Sequence, residues 1–313
     1  MSEPTRSSGP IRSSEPTSAP APADAGHAAD AVLADSALAD PGHVVLVGAG
    51  NMGGAMLRRW PRGRITVIDP QPSAAILAHM REAGVAHAPS AEGVARADTL
   101  VVAVKPQMMD AVLPALRPLV GEGTTVVSVA AGTTVETLAR ALGTRRVVRT
   151  IPNTPAMVGQ GVTGAYAGDA VPGDARGRVE ALLAVSGAVV WVEDEADIDK
   201  VTAVSGSGPA YVFHLVEALA ASARALGLSE AQAETLARRT VVGAGALLAE
   251  SEEGAGTLRA RVTSPNGTTA AALEVLMEGD ALAELMGRAV RAAHARAVEL
   301  GAVEPGAVEP GRG

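Results

Sequence analysis

The chain contains no cysteine. Disulfides, thiolate nucleophiles and thiolate metal sites are therefore excluded, and the composition suits a cytoplasmic enzyme. Aromatic residues are nearly absent too: two Trp, two Tyr and one Phe among 313 residues. That scarcity argues against a base-stacking surface, and it leaves Ala, Val and Leu to build the cores of a chain that is 47% apolar. Lysine occurs only at positions 105 and 200; every other fixed cation is Arg. No apolar run reaches the ~18–20 residues of a membrane span, and the N-terminal stretch lacks the apolar core of a signal peptide. The net charge is −8, and half of it lies in the first 42 residues, where six acids face two arginines. The remainder is close to balance, which argues against a phosphate-backbone partner. No His, Asp and Glu residues fall at metal-ligand spacing, so no metal is expected.

Composition divides the chain. Residues 1–42 are rich in Ser, Pro, Ala and Asp and read as a disordered leader. Residues 301–313 begin with GAVEP twice in tandem and read as a low-complexity tail. From 43 to 196, short β-branched runs (HVVLV, RITVI, TLVVAV, TVVSV, RVVRTI, AVVWV) alternate with helical stretches. That alternation predicts a mostly parallel sheet covered on both faces. Within it, Thr133 and Glu136 have capping-box spacing at the head of TTVETLARAL. After Ala196 no strand signal remains, and 197–300 reads as an all-α domain. A long apolar helix from Pro209 to Leu226 ends at Gly227. Ser229 and Gln232 form a second capping box for a helix to about Glu250. Two further helices are expected over 268–278 and 280–300. These helices are rich in Ala and Gly, with apolar residues on more than one face, which predicts burial on a partner.

Gly48-Ala49-Gly50-Asn51-Met52-Gly53 is a GxGxxG run between the strand HVVLV and a helix, the context that a dinucleotide-binding turn requires. Gly48 permits the tight turn, Gly50 lets a pyrophosphate approach the backbone, and Gly53 lets the helix pack on its strand. Asp69 ends the second strand, where an acid accepts hydrogen bonds from the adenosine ribose and repels a 2′-phosphate. No Arg follows it, so the residues lean toward NADH; the bland role is a loop-capping Asp before Pro70. Ala103-Val104-Lys105-Pro106, Gly132 and Asn153 each follow a strand and fall at the same sheet edge, where ligands of doubly wound sheets bind. Asn153 also suits an Asx turn before Pro155. Much later, Ser264-Pro265-Asn266-Gly267-Thr268-Thr269 is a run of turn formers that stops where an apolar helix starts. Unpaired amides and a positive dipole end make such a place receptive to a carboxylate or phosphate. His214, alone on its helix, reads as a packed or hydrogen-bonded residue rather than a catalyst.

Taken in order, VVLVGAGNMGGAM, AVKP, VAAGTT, IPNTPA, SGSGPAYVF and SPNGTTAAALEVLME resemble pyrroline-5-carboxylate reductase over residues 43–300. The resemblance implies a Rossmann-type α/β domain followed by an all-α dimerisation domain of the 6-phosphogluconate dehydrogenase C-terminal kind. It implies NADPH or NADH as cofactor, held by Gly48, Gly50, Asn51, Met52, Gly53, Asp69, Ala103, Val104, Lys105 and Pro106, with Gly132 and Asn153 beside the nicotinamide. It also implies that the Thr269 hydroxyl bonds the ring nitrogen of the substrate, while Ser264 and the amides of Gly267 and Thr268 hold its carboxylate. Asn266 stands where the family most often has Gly, and Asn is the side chain that best tolerates a left-handed backbone. Implied partners are the small-molecule substrate and a second copy of the chain, at least, through the helices. Two other readings remain: another imine or β-hydroxyacid reductase of the same architecture, and a non-catalytic nucleotide-binding scaffold. The first is disfavoured because the long helix YVFHLVEALAASARALG carries no Lys or Asp, only Glu217. The second would be free to lose Thr269 or the glycines, and both are present.

Overall fold

A computed structural model describes residues 42–302; all but the last residue of the expected leader, and all but the first two residues of the expected tail, lie outside them. Four-residue strand β1 (Val44–Val47) shows how the first half is built. Successive strand side chains point to opposite faces. Val44 and Leu46 accordingly join one buried cluster with Met56, Ile76 and Leu183, while Val45 and Val47 join another with Leu100, Leu113 and Leu138. A strand buried on both faces reads as a continuous apolar run, as β1 does.

Eight strands form one sheet in the order β3-β2-β1-β4-β5-β6-β7-β8. They are β2 (Ile65–Ile68), β3 (Ala86–Ala88), β4 (Ala97–Val102), β5 (Val120–Ser128), β6 (Val147–Ile151), β7 (Gly161–Ala167) and β8 (Gly187–Trp191). Helices α1 (Asn51–Leu57), α2 (Ala74–Ala83) and α5 (Gly173–Ala184) cover one face. Helices α3 (Met109–Leu116) and α4 (Val135–Leu142) cover the other. Pairing is parallel except between β6 and β7. The chain winds outward from β1 to β2 and β3, then crosses back to β4 on β1's other side. The carboxyl ends of β1 and β4 therefore flank the crevice where such sheets bind ligands.

Two strands were not foreseen. β3 has only three residues, and β7 reads GVTGAYA, too rich in Gly and Ala to show a strand pattern. Its role is steric: Gly164 lies against Val201, and Gly161 and Gly187 meet backbone to backbone. The cap of α4 also differs by one residue from the expected pair. Thr134, not Thr133, accepts from Thr137 N at 3.2 Å, and Glu136 pairs with Arg140 on the surface instead.

Among the described residues every regular element after β8 is helical: α6 (Asp197–Val201), a π-turn (Thr202–Gly206), α7 (Gly208–Ala225), α8 (Glu230–Glu250), α9 (Ala255–Arg261), α10 (Thr268–Met277), a short 3-10 turn (Glu278–Asp280) and α11 (Ala281–Ala302). The Ser229–Gln232 capping box heads α8. Helix α9 was not foreseen, and α11 continues two residues into the expected tail. α7 and α8 pack through Ala220, Ala233 and Ala237, small residues that let the helices approach. α11 returns to pack on the π-turn and α6. Apolar side chains elsewhere on these helices face outward: Phe213 is 63% exposed and Val275 69%. Among the described residues no helix is long and apolar enough to cross a membrane.

Candidate active site

The glycine turn has the geometry its sequence requires. Gly48 adopts φ +88°, and a Cβ there would stand 2.9 Å from the Ala103 carbonyl oxygen. A Cβ on Gly53 would overlap the Gly48 carbonyl oxygen, so glycine is what lets α1 lie against β1. Gly50 is different: nothing lies within 4 Å of its Cβ position. No packing demand explains that glycine, whereas a ligand approaching the backbone would. Gly50 is also the N-cap of α1, and no side chain caps the helix or adds an acid to its first turn. The amide groups of Asn51 and Met52 thus open on a cradle suited to a pyrophosphate.

Asp69, at the end of β2, is tied into this turn. Its Oδ2 accepts from Ala49 N at 2.8 Å and its Oδ1 from Gln71 N at 2.8 Å. The carboxylate therefore performs the loop-capping role directly. Each oxygen keeps a second acceptor position for a ribose hydroxyl.

On the other side of the crevice, Ala103 N donates to Val47 O at 2.8 Å, which fixes Ala103 and Val104 beside the turn. Pro106 opens a short 3-10 helix (Pro106–Met108), and Lys105 stands exposed just before it. Gly132 has φ +74°, and its Cβ position lies 3.2 Å from the carbonyl oxygen of Leu300 near the end of α11. The left-handed backbone strains any other residue there, and packing of α11 adds a tight contact, so glycine suits the position without a ligand.

Asn153 is 8% exposed, and one N–H and one lone pair of its amide are bonded within the protein. Nδ2 donates to Ser205 O at 3.0 Å, and Oδ1 accepts from Val162 N at 2.9 Å. Neither bond is the Asx turn expected from sequence, and the second N–H and second lone pair remain for a cofactor contact. Beside it lies a groove of 460 Å³ walled by Asn153, Pro155, Ser205, Tyr211, Phe213 and Met286, among others. Ser205, Tyr211 and Met286 had no role assigned from sequence. The one available signal was Pro209, which leaves the carbonyl four residues earlier without a helical partner.

The second cluster of expected site residues surrounds the start of α10. Gly267 N donates to Ser264 O at 3.1 Å, and Asn266 has φ +60°. Pro265 followed by a left-handed residue is the pattern of a type II turn, so Asn266 holds the conformation for which Gly is the usual choice. Gly267 packs against the Ser264 side chain and is the N-cap of α10, without a side-chain cap. Ser264, Thr268 and Thr269 make no side-chain hydrogen bonds among the described residues. The Gly267 amide is spent on the turn, while the three hydroxyls and the amides of Thr268 and Thr269 at this helix start are available to a ligand. α10 packs mainly on α11 and the turn before it, not on the sheet edge. Within one subunit the two halves of the expected site are held by different parts of the chain.

His214 pairs with Glu217 at 3.0 Å on the exposed side of α7. No cluster of three or more His, Cys, Asp or Glu residues suits a metal ion among the described residues.

Comparison with known proteins matches residues 195–300 to the pyrroline-5-carboxylate reductase dimerisation family and residues 43–132 to the family described as NADP oxidoreductase coenzyme F420-dependent. The chain is 41% identical over 261 residues to the pyrroline-5-carboxylate reductase of Pseudomonas aeruginosa, covering 81% of this chain and 95% of that protein. The chain belongs to the pyrroline-5-carboxylate reductase family. The Escherichia coli pyrroline-5-carboxylate reductase is 38% identical over 240 residues, 74% of this chain and 88% of the relative. Among solved structures, that of Coxiella burnetii pyrroline-5-carboxylate reductase superposes with a TM-score of 0.78 at 36% identity, covering 84% of this chain and all of that one. The Plasmodium falciparum pyrroline carboxylate reductase, solved with NADP bound, gives 0.70 at 25% identity over 84% and 99% of the two chains. The outward apolar faces of α7 to α11 now have an explanation, because they lie within the family's dimerisation domain and the chain forms a homo-oligomer.

Proposed function

We propose that this chain reduces L-1-pyrroline-5-carboxylate to L-proline with NADPH or NADH, the last step of proline synthesis, and that Thr269 and the turn before it hold the substrate. When bound, the dinucleotide supplies the hydride that adds to the C=N carbon of the ring. The observation that carries the reading is the pairing of an open Gly50 cradle at the crevice with a free, uncapped helix start at Gly267 to Thr269.

The protein's own work is positional. Gly48, Gly50 and Gly53 shape the turn, and the α1 amides of Asn51 and Met52 face the pyrophosphate. Asp69 accepts from the ribose, while Ala103 to Pro106 border the ribose and phosphate region. Ser264 and the amide of Thr268 hold the substrate carboxylate at the positive end of α10, and Gly267, whose own amide closes the turn onto Ser264 O, lets the carboxylate approach the backbone. The Thr269 hydroxyl bonds the ring nitrogen and so fixes which carbon faces the nicotinamide. A cyclic imine can enter protonated and already electrophilic, so no separate catalytic acid is needed. Orientation of this kind can contribute on the order of 7–11 kcal/mol. Because α10 packs away from the sheet edge, the substrate turn reaches the crevice from the partner subunit.

The test is the absorbance loss at 340 nm on mixing the protein with NAD(P)H and pyrroline-5-carboxylate, run beside β-hydroxyacid and other imine substrates. Turnover of pyrroline-5-carboxylate well above the others supports the reading. A preference for another substrate supports the wider reductase class instead, and no turnover at all supports a binding role.

A further inference from the structure

The π-turn Thr202–Gly206 is out of α-helical register. Ser207 N donates to Thr202 O at 2.9 Å, an i to i−5 bond, where an α-helix would use Ala203 O. Pro209, in the first turn of α7, has no N–H to offer the carbonyl of Ser205 four residues back. Two backbone acceptors at one turn are thus displaced from the helical pattern. Side chains serve both. The Tyr211 hydroxyl donates to Ala203 O at 3.0 Å, and Asn153 Nδ2 donates to Ser205 O at 3.0 Å. The same Asn153 amide accepts from Val162 N at 2.9 Å. One buried side chain therefore joins the end of β6, the start of β7 and the π-turn. Single π-turns are rare within helices and concentrate at functional sites. Here Asn153, Ser205 and Tyr211 all wall the groove beside the sheet edge.

We propose that Asn153 and Tyr211 are positioning residues for the reduction. Their side chains hold the π-turn in register, so that the start of α7 presents a fixed wall to the nicotinamide end of the site. This rests on the reductase reading above. It also revises the role expected for Asn153, from a group that contacts the cofactor to one that places the surface against which the reaction occurs.

Two variants of the full-length protein test this. Asn153→Asp keeps the shape and the acceptor for Val162 N but turns a carboxylate oxygen toward Ser205 O. Tyr211→Phe removes one hydroxyl. Calorimetric titration without substrate gives the NADPH Kd and the number of binding sites, kinetics gives KM and kcat per site, and amide hydrogen exchange follows residues 202–208. The expected result is faster exchange over 202–208, an NADPH Kd within about twofold of wild type, and kcat per site reduced on the order of tenfold or more. If the NADPH Kd weakens in step with kcat/KM, Asn153 is a cofactor ligand and the proposal is overturned. If only the number of sites falls while kcat per site is kept, the two residues serve stability alone and the proposal is again overturned. Unchanged exchange overturns it as well. Should Asn153→Asp not fold, Tyr211→Phe decides by the same criteria. A wild-type protein inactive on pyrroline-5-carboxylate would instead sink the reductase reading, and the exchange data would still show whether these side chains hold the turn.

Discussion

Two glycines three residues apart separate the structural from the ligand-binding role of the turn. Gly53→Ala places a methyl on the Gly48 carbonyl oxygen and 3.1 Å from the Ala103 side chain. Backbone cannot yield as a flexible side chain can, so α1 must move away from β1. Overpacking of this kind costs about 1–3 kcal/mol, and a domain of this size loses roughly 2–4 °C of Tm per kcal/mol, for a drop of roughly 2–12 °C. Gly50→Ala meets nothing within 4 Å, and Gly50 has φ −70°, a value open to alanine. Its cost is the weaker N-cap, under about 1 kcal/mol, so Tm should stay within about 4 °C. The added methyl instead occupies the path of the pyrophosphate. Losing one hydrogen bond to a charged oxygen costs about 1.5–3 kcal/mol, which weakens the NADPH Kd roughly ten- to more than a hundredfold. Thermal melts and calorimetric NADPH titrations of both variants are the assay. A Gly50→Ala protein that binds NADPH like wild type would refute the placement of the pyrophosphate over Gly50.

Other substitutions probe the rest of the account. Asp69→Ser removes a charge from the ribose end of the crevice and should raise kcat/KM for NADPH relative to NADH; loss of the Ala49 and Gln71 hydrogen bonds should also raise KM for both cofactors. An unchanged ratio in steady-state kinetics would show that Asp69 only caps the loop. Arg149 on β6 has a side chain only 4% exposed and pairs with Asp199 at 2.8 Å and Glu195 at 3.3 Å. Glu195 also accepts from Val135 N at the head of α4. Arg149→Leu should destabilise by about 3 kcal/mol, because it strands two acids that are themselves partly buried; a denaturant melt with an unchanged midpoint would contradict this.

The sheet was legible in the sequence because a strand buried on both faces must be a continuous apolar run, and HVVLV and TLVVAV are such runs. The β7 strand was not, because its Gly161 and Gly164 answer to neighbouring backbone and to Val201 rather than to strand propensity. At the site, Gly48 and Gly53 could be assigned from spacing alone, since the strand-turn-helix geometry forces them. Asn266 was legible for a similar reason: the turn needs a left-handed residue and Asn supplies it. Asn153 and Gly132 were harder. Their surroundings come from Ser205 and Leu300, 52 and 168 residues away along the chain, and only the packed α6 to α11 region brings them there. The π-turn was invisible except through Pro209. The partner-seeking character of the helices was legible from their spread of apolar residues, though not which subunit supplies each half of the site.

The most direct test of the central claim measures product. Wild-type protein incubated with pyrroline-5-carboxylate and NADPH should form L-proline, quantified by chromatography, one for one with the NADPH lost at 340 nm. Thr269→Val, which keeps the shape and removes the hydroxyl, should bind NADPH as before. Its kcat/KM should fall roughly ten- to more than a hundredfold, as expected for a lost hydrogen bond of about 1.5–3 kcal/mol to a charged ring nitrogen. NADPH loss without proline, or a folded Thr269→Val protein with wild-type kcat/KM, would contradict the account.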